Sequence, residues 1–241
     1  MKGVIRLIRH ILFDLDGTLA PINMDFFLQD YMGAISARFK DRFPEEEFMR
    51  KLFESTTVMV KNTDPDHTNE EVFWEDFPRR VGVSRETLEP VFRDFYSREY
   101  RDPKSCLPGP GPAREVITEV FNQGFTVTVA TNPLFPIEAL CERLAWIGCD
   151  GFPFQFITSM EKMHFCKPHI EYYQEVLAML GALPEECLMV GNDMEEDMVA
   201  KLLGMKTCLV TDRMIHRGKL QVEPDYRCTL AEVGEVVRRL K

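Results

Sequence analysis

Between the first strand-like run of this chain and the second lies a long stretch, residues 20–107, whose apolar positions follow helical spacing and show no good strand run. The first run is Ile11-Leu12-Phe13. The second, Phe125–Ala130, is rich in β-branched residues and follows Gly124. Neighbouring parallel strands need a crossover of only about a dozen residues or slightly more. A helical block far longer than that has to be an inserted subdomain. The chain is therefore expected to divide into a core, residues 1–19 and 108–241, and an α-helical insert, residues 20–107. Within the insert, helices are expected near 26–39, 45–53, 69–81 and 85–100. The last starts behind Ser84 and carries the stripe Leu88, Val91, Phe92, Phe95. Its two connections resemble hinges, with Pro21 on one side and Pro108-Gly109-Pro110-Gly111-Pro112 on the other.

Three further apolar runs, Phe154–Ile157, Cys187–Val190 and Thr207–Val210, complete the strand pattern. Continuous apolar runs of this length suit strands buried on both faces of a parallel sheet. Amphipathic stripes alternate with them: Ala113, Val116, Ile117, Val120, Phe121; Ile137, Leu140, Leu144, Ile147; Ile170, Tyr173, Val176, Leu177, Leu180; and Met194, Met198, Val199, Leu202, Leu203. The alternation predicts an α/β core with a doubly wound, Rossmann-like parallel sheet. An insert that leaves the carboxyl end of the first strand would lie over the edge where such sheets bind ligands.

Composition narrows the function classes. The charge balance, 29 basic against 39 acidic residues, gives a net −10. That disfavours broad nucleic-acid binding, which draws on a basic surface, while leaving room for an anionic small molecule at a locally positive site. No apolar run approaches a membrane span, and the start of the chain, broken by Arg6 and Arg9, does not read as a signal peptide. Seven cysteines, an odd number with no C-x-x-C pair, read as reduced core thiols in a cytoplasmic protein. Oligomeric state is not legible.

The chemistry-bearing residues gather at strand ends. The first strand runs into Asp14-Leu15-Asp16-Gly17-Thr18-Leu19. Carboxylates two apart on an extended strand point the same way. Two so close raise the cost of ionising both, which suits a nucleophile beside an acid/base, and they also suit a hard cation. Ala130-Thr131-Asn132 closes the second strand, Cys166-Lys167-Pro168 follows, and Gly191-Asn192-Asp193-Met194-Glu195-Glu196-Asp197 leaves the run 187–190.

D-x-D-G-T-L behind an apolar strand resembles the first motif of the haloacid dehalogenase-like (HAD) superfamily, and the other three segments resemble its second, third and fourth motifs in order. The likeness covers essentially the whole chain, with residues 20–107 at the position of a C1-type cap. It implies a Mg²⁺-dependent phosphatase of small phosphorylated metabolites. Asp14 would be the nucleophile that forms an aspartyl-phosphate, and Asp16 the acid/base, its peptide carbonyl on the metal. Thr131, Asn132 and Gly17 would hold the phosphoryl group, and Lys167 would neutralise it.

The fourth motif departs from the common Gly-Asp form. Counting back from Asp197, one spacing puts Asn192 at the metal and another puts Asp193. A carboxylate binds Mg²⁺ better than an amide, so Asp193 is favoured, with Asn192 a direct or water-mediated ligand and Asp197 positioning Lys167. Asp16 argues against a dehalogenase, since members with that activity lack an acid there. A phosphonate hydrolase would need a Schiff-base lysine from among Lys40, Lys51, Lys61 and Lys104. A phosphomutase shares all four motifs, and a non-catalytic phospho-ligand module would keep only the fold. His67, His164 and His169 lack metal-ligand spacing, and Trp74 and Phe77 read as insert core.

Overall fold

The computed structural model describes residues 7–100, 109 and 111–240. Five strands, β1 (His10–Phe13), β2 (Thr126–Val129), β3 (Cys187–Gly191), β4 (Lys206–Val210) and β5 (Tyr226–Cys228), form one parallel sheet in the order β2-β1-β3-β4-β5. Phe13 stands in register with Val129 on one side and Val190 on the other. The ends of β2, β1 and β3 are therefore level, and the segments that follow them emerge side by side. The ladder continues into those segments: Asp14 N donates to Val190 O at 2.9 Å, and Ala130 N donates to Phe13 O at 2.7 Å. Ile11, Leu12, Phe13, Val127, Leu188, Met189 and Val190 are all fully buried, as a sheet covered on both faces requires.

The helices of the insert are α1 (Met24–Ala37), α2 (Glu45–Lys61), α3 (Asn69–Val81) and α4 (Arg85–Arg98). α2 runs a further two turns past the expected stop, because Ser55 and Met59 continue its buried face. α3 begins in a reciprocal cap. Thr68 N donates to Glu71 Oε2 at 2.8 Å, and Glu71 N donates to Thr68 Oγ1 at 3.3 Å. It stops at Gly82, whose φ of 71° is open to glycine at little cost. The core helices are α5 (Ala113–Asn122), α6 (Ile137–Trp146), α7 (Ile170–Leu180) and α8 (Val233–Arg238).

Two expected elements differ. Residues 154–157 make a single bridge, Ile157 to Val129, in place of a strand. Phe154, Phe156 and Ile157 are only half-buried and Gln155 is exposed, so the segment trails along the free edge of β2. Residues 194–203 form turns and a 3₁₀ segment, Met198–Leu203, and no α-helix. The Asp193 carboxylate takes the Glu195 and Glu196 N–H groups at 2.9 and 3.0 Å, which holds the chain in a tight turn. β5 and α8 were not expected. The thiols of Cys141, Cys149, Cys166, Cys187, Cys208 and Cys228 are free; Cys141 sits on the surface of α6, outside the core assigned to it. Cys106 lies outside the described residues.

Of the expected hinge, Pro108 and Pro110 lie outside the described residues. Gly111 has φ 63°, and a β-carbon there would stand 3.6 Å from the Pro21 ring, so the two chain crossings pass side by side. The aromatic rings of the insert pack on one another within an apolar cluster that runs on into the sheet core. Phe77 is fully buried, stacked on Phe73 at 5.2 Å and edge-on to Phe48 at 5.7 Å and Phe92 at 5.9 Å. Phe77→Ala is expected to cost about 3–5 kcal/mol of stability, because the rings around the void cannot collapse fully. Denaturant unfolding read by tryptophan fluorescence checks this, and a loss below about 1 kcal/mol would show a loosely packed insert.

Candidate active site

Asp14 is the first residue past β1, and its two carboxylate oxygens have different partners. Lys167 Nζ donates to Oδ1 at 3.0 Å and Thr18 Oγ1 lies 3.0 Å from Oδ2. Thr18 is brought back to Asp14 by a tight turn in which Ala20 N donates to Leu15 O at 2.8 Å and Gly17 N donates to Ala20 O at 2.8 Å. Gly17 adopts φ 85°, and a β-carbon there would stand 2.6 Å from Asn192 Nδ2, so both backbone angle and space demand glycine. The same Thr18 hydroxyl lies 3.0 Å from Asn192 Oδ1. One hydroxyl hydrogen thus faces two acceptor oxygens, Asp14 Oδ2 and Asn192 Oδ1.

Lys167 is fully buried, and its Nζ also donates to Asp197 Oδ1 at 2.6 Å. Burial alone would pull the ammonium down; Asp14 and Asp197 together hold it well above its usual range. Burial pushes both carboxyls up, that of Asp197 to about 7, against the opposing pull of the ammonium. Tyr172 supports the group from below, its ring centroid 5.8 Å from Nζ. The other oxygen of Asp197 takes the Asp193 N–H at 2.9 Å. Gly191 leaves room for that carboxylate, because a β-carbon there would overlap it.

Asn132 joins the second and third segments. Its Oδ1 accepts from Lys167 N at 3.2 Å, and its Nδ2 donates to Lys167 O at 3.4 Å and to Glu196 Oε2 at 3.0 Å. Burial pushes Glu196 up to about 7. Thr131 is buried beside it, its carbonyl accepting from Thr158 Oγ1 at 2.7 Å and from the Tyr172 hydroxyl at 2.9 Å. The fold therefore brings Asp14, Thr18, Lys167, Asn192 and Asp197 into one bonded cluster, with Thr131 and Asn132 on the adjoining strand end. Asp193 is placed differently. Besides the turn N–H groups, its carboxylate meets Arg217 Nη1 at 2.8 Å, and Arg217 also lies 3.6 Å from Glu195.

Asp16 forms an ion pair with Arg143 of α6, and the Arg143 side chain is fully buried. Burial pushes the Asp16 carboxyl up, and the guanidinium opposes that. Arg143 was not singled out from the sequence, although a signal was there. It lies three residues past Leu140 and four before Ile147, on the apolar stripe of its helix, where a charge is out of place. Arg217, Glu196 and Tyr172 were missed as well, and nothing in their local sequence marks them. His164 pairs with Glu175 at 2.6 Å and His67 with Asp64 at 3.1 Å. Lys51 pairs with Glu47 at 2.7 Å, and Lys40 and Lys61 are exposed. Lys104 lies outside the described residues. Among the described residues no group of three or more His, Cys, Asp or Glu is arranged to hold a metal ion.

A fully buried ammonium between two carboxylates, at the edge where parallel sheets bind ligands, marks the class as an α/β enzyme with its reactive groups on adjacent strand ends. Residues 11–210 match the family model of the haloacid dehalogenase-like hydrolases, and the chain belongs to that family. The pyrophosphatase PpaX of Halalkalibacterium halodurans is 23% identical over 222 residues, which is 91% of each chain. Among solved structures, a predicted phosphoglycolate phosphatase from Haemophilus somnus superposes with a TM-score of 0.57 at 18% identity, covering 95% of this chain and 97% of that one. L-2-haloacid dehalogenase from Xanthobacter autotrophicus superposes with a TM-score of 0.60 at 17% identity, covering 96% and 99%. Both structures share the fold across the whole length.

Gly191→Ala is expected to push Asp197 off both Lys167 Nζ and Asp193 N, at a cost of about 1–3 kcal/mol for the overpacked site. Thermal unfolding of the variant beside the wild type checks the cost. An unchanged melting temperature would show that the turn has room to shift.

Proposed function

We propose that this chain is a cytoplasmic, Mg²⁺-dependent phosphatase of small phosphorylated metabolites that works through an aspartyl-phosphate on Asp14. The observation that carries the reading is the pair of contacts on Asp14. One oxygen is fixed by Lys167 and the other faces Thr18, so the carboxylate is held in one orientation at the mouth of the sheet. In the first step Asp14 attacks phosphorus, the bond to the leaving oxygen breaks, and Asp16 gives that oxygen its proton. In the second step Asp16 takes a proton from water, the water oxygen attacks phosphorus, and the bond to Asp14 breaks, releasing phosphate. Lys167 offsets the charge that builds between carboxylate and phosphoryl oxygens. The Thr131 hydroxyl and the Gly17 main chain would hold those oxygens. Asn132, its amide committed to the Lys167 backbone and to Glu196, serves by fixing the loop that carries Lys167.

The relatives named pyrophosphatase and phosphoglycolate phosphatase agree with phosphoryl transfer. Asp16, with its carboxyl pushed up by burial, favours that reading over dehalogenation, which needs no proton for a halide leaving group. The insert, residues 20–107, would act as a cap that closes over the substrate and excludes bulk water. It would move on the crossings at Pro21 and Gly111.

The residues present fit a hard cation. Asp14 Oδ2 and Asn192 Oδ1 converge on the single Thr18 hydroxyl, which can satisfy only one of them, and every donor is oxygen. Asp14, the Asp16 peptide carbonyl and Asn192 would hold Mg²⁺. Asp193, favoured on charge alone, is engaged by Arg217 and by the turn it caps. When bound, Mg²⁺ would supply positive charge against the phosphoryl oxygens.

Asp14→Asn is expected to abolish turnover of p-nitrophenyl phosphate with the fold kept, since the amide has the shape of the carboxylate without its nucleophilicity. A variant retaining a tenth of wild-type activity would remove Asp14 from the reaction. For the metal, chelator should silence the enzyme and Mg²⁺ restore it. Asn192→Ala should raise the Mg²⁺ needed for half activity about tenfold or more, and Asp193→Asn should raise it far less. The opposite order would return the ligand role to Asp193.

A further inference from the structure

A charged side chain on the buried face of a helix needs partners, because an unpaired charge in the interior is strongly destabilising. Arg143 has them. Its Nη1 pairs with Asp16 Oδ2, its Nε donates to the Tyr100 hydroxyl at 2.6 Å, and its guanidinium lies 4.0 Å from the Phe135 ring centroid and 4.5 Å from that of Phe27. Asp16 and Phe135 belong to the core, whereas Tyr100 and Phe27 belong to the insert. The guanidinium is thus flanked by two rings that meet edge-on at 5.9 Å and is pinned at two edges, and it presents one nitrogen to one oxygen of Asp16. Among the described residues no group donates a hydrogen bond to the second oxygen, Oδ1, which is buried.

We infer that Arg143 is a positioning residue. It fixes the Asp16 carboxyl through Oδ2, so that Oδ1 is the oxygen left to exchange a proton with the leaving group. Because two of its four contacts come from the insert, Asp16 takes up this orientation only when the insert is seated. The inference rests on the reading of Asp16 as the acid. Lysine at 143 would keep the charge and lose the planar fork and the ring stacking. Tyr100→Phe would remove only the bond to Nε, with almost no change in volume.

A misplaced acid has a signature that general damage lacks. It hurts a substrate in proportion to how much its leaving group needs a proton. The measurement is kcat/KM, which reports the steps through release of the leaving group, on a series of para-substituted phenyl phosphates from nitro to methoxy. Arg143→Lys is expected to lower kcat/KM for the methoxy substrate about tenfold more than for the nitro substrate, a part of what general acid catalysis supplies. Tyr100→Phe should bend the series the same way to a smaller extent, and carries the test if Arg143→Lys does not fold, as judged by thermal unfolding. Asp16→Asn should show the largest difference. Equal losses across the series in Arg143→Lys and Tyr100→Phe, with Asp16→Asn still discriminating, would overturn the role of Arg143 and leave Asp16 as the acid. An Asp16→Asn variant that does not discriminate would overturn both readings.

Discussion

The buried ammonium of Lys167 is the constraint around which the site is arranged. A cation without solvent must be met by anions, and here Asp14 and Asp197 meet it at 3.0 and 2.6 Å. Each requirement then passes to a neighbour. Asp197 can reach Lys167 only because Gly191 has no side chain. The Lys167 backbone is gripped on both its N–H and its C=O by one amide, that of Asn132. Asn132 in turn stands where it does because β2 ends level with β1. A chain of this kind tolerates little change at any link, since the fault at one point leaves an unpaired charge at another.

The level strand ends are themselves a consequence of topology. With β1 between β2 and β3, three loops that are far apart in sequence leave the sheet within two strand spacings of each other. That is why four short segments spread from Asp14 to Asp197 can act together. It is also why the fold was legible from apolar runs and amphipathic stripes alone. Runs buried on both faces carry a strong signal. The edge segment at 154–157 carried a signal only partly realised, because it bonds to β2 through Gln155 N to Val127 O at 2.8 Å and Val129 N to Phe156 O at 3.1 Å without forming a full strand, and β5, three residues with one exposed, carried almost none.

The site was legible in a more uneven way. Residues whose chemistry is local to a motif, such as Asp14, Asp16, Thr131 and Lys167, stand out by order and spacing. Which of Asn192 and Asp193 turns toward Asp14 did not, because it depends on Arg217, twenty-odd positions later, drawing Asp193 aside. Charge favours Asp193 as a ligand, whereas it is the Asn192 amide oxygen that shares the Thr18 hydroxyl with Asp14. An amide in that position leaves the oxygen cluster with less negative charge than a carboxylate would. Arg143 was within reach, since a charge on an apolar stripe is a local irregularity that asks for a partner.

The insert touches the core at two places that matter, and both lead to reactive groups. At one, Tyr100 and Phe27 hold Arg143 against Asp16. At the other, the start of α3 lies on the loop that carries Lys167. Glu70 N donates to Met160 O and Asn69 N to Met163 O, each at 2.8 Å, and His169 Nε2 lies 3.0 Å from the carbonyl of Val60 at the end of α2. Asn69 is fully buried in that seam. An insert seated in this way holds Arg143 against Asp16 on one flank through the two ends of its own sequence, and meets the loop that leads to Lys167 on the other through its middle. Rings of the insert also pack on rings of the core, Phe27 on Phe135 at 5.9 Å and Tyr100 on Trp146 at 5.5 Å, so both contacts belong to one continuous packed seam. On the proposed reading of Asp16 as the acid and the insert as a cap, movement of the insert would alter access to the site and the orientation of Asp16 in the same event, so that the acid would be in place only with the substrate enclosed.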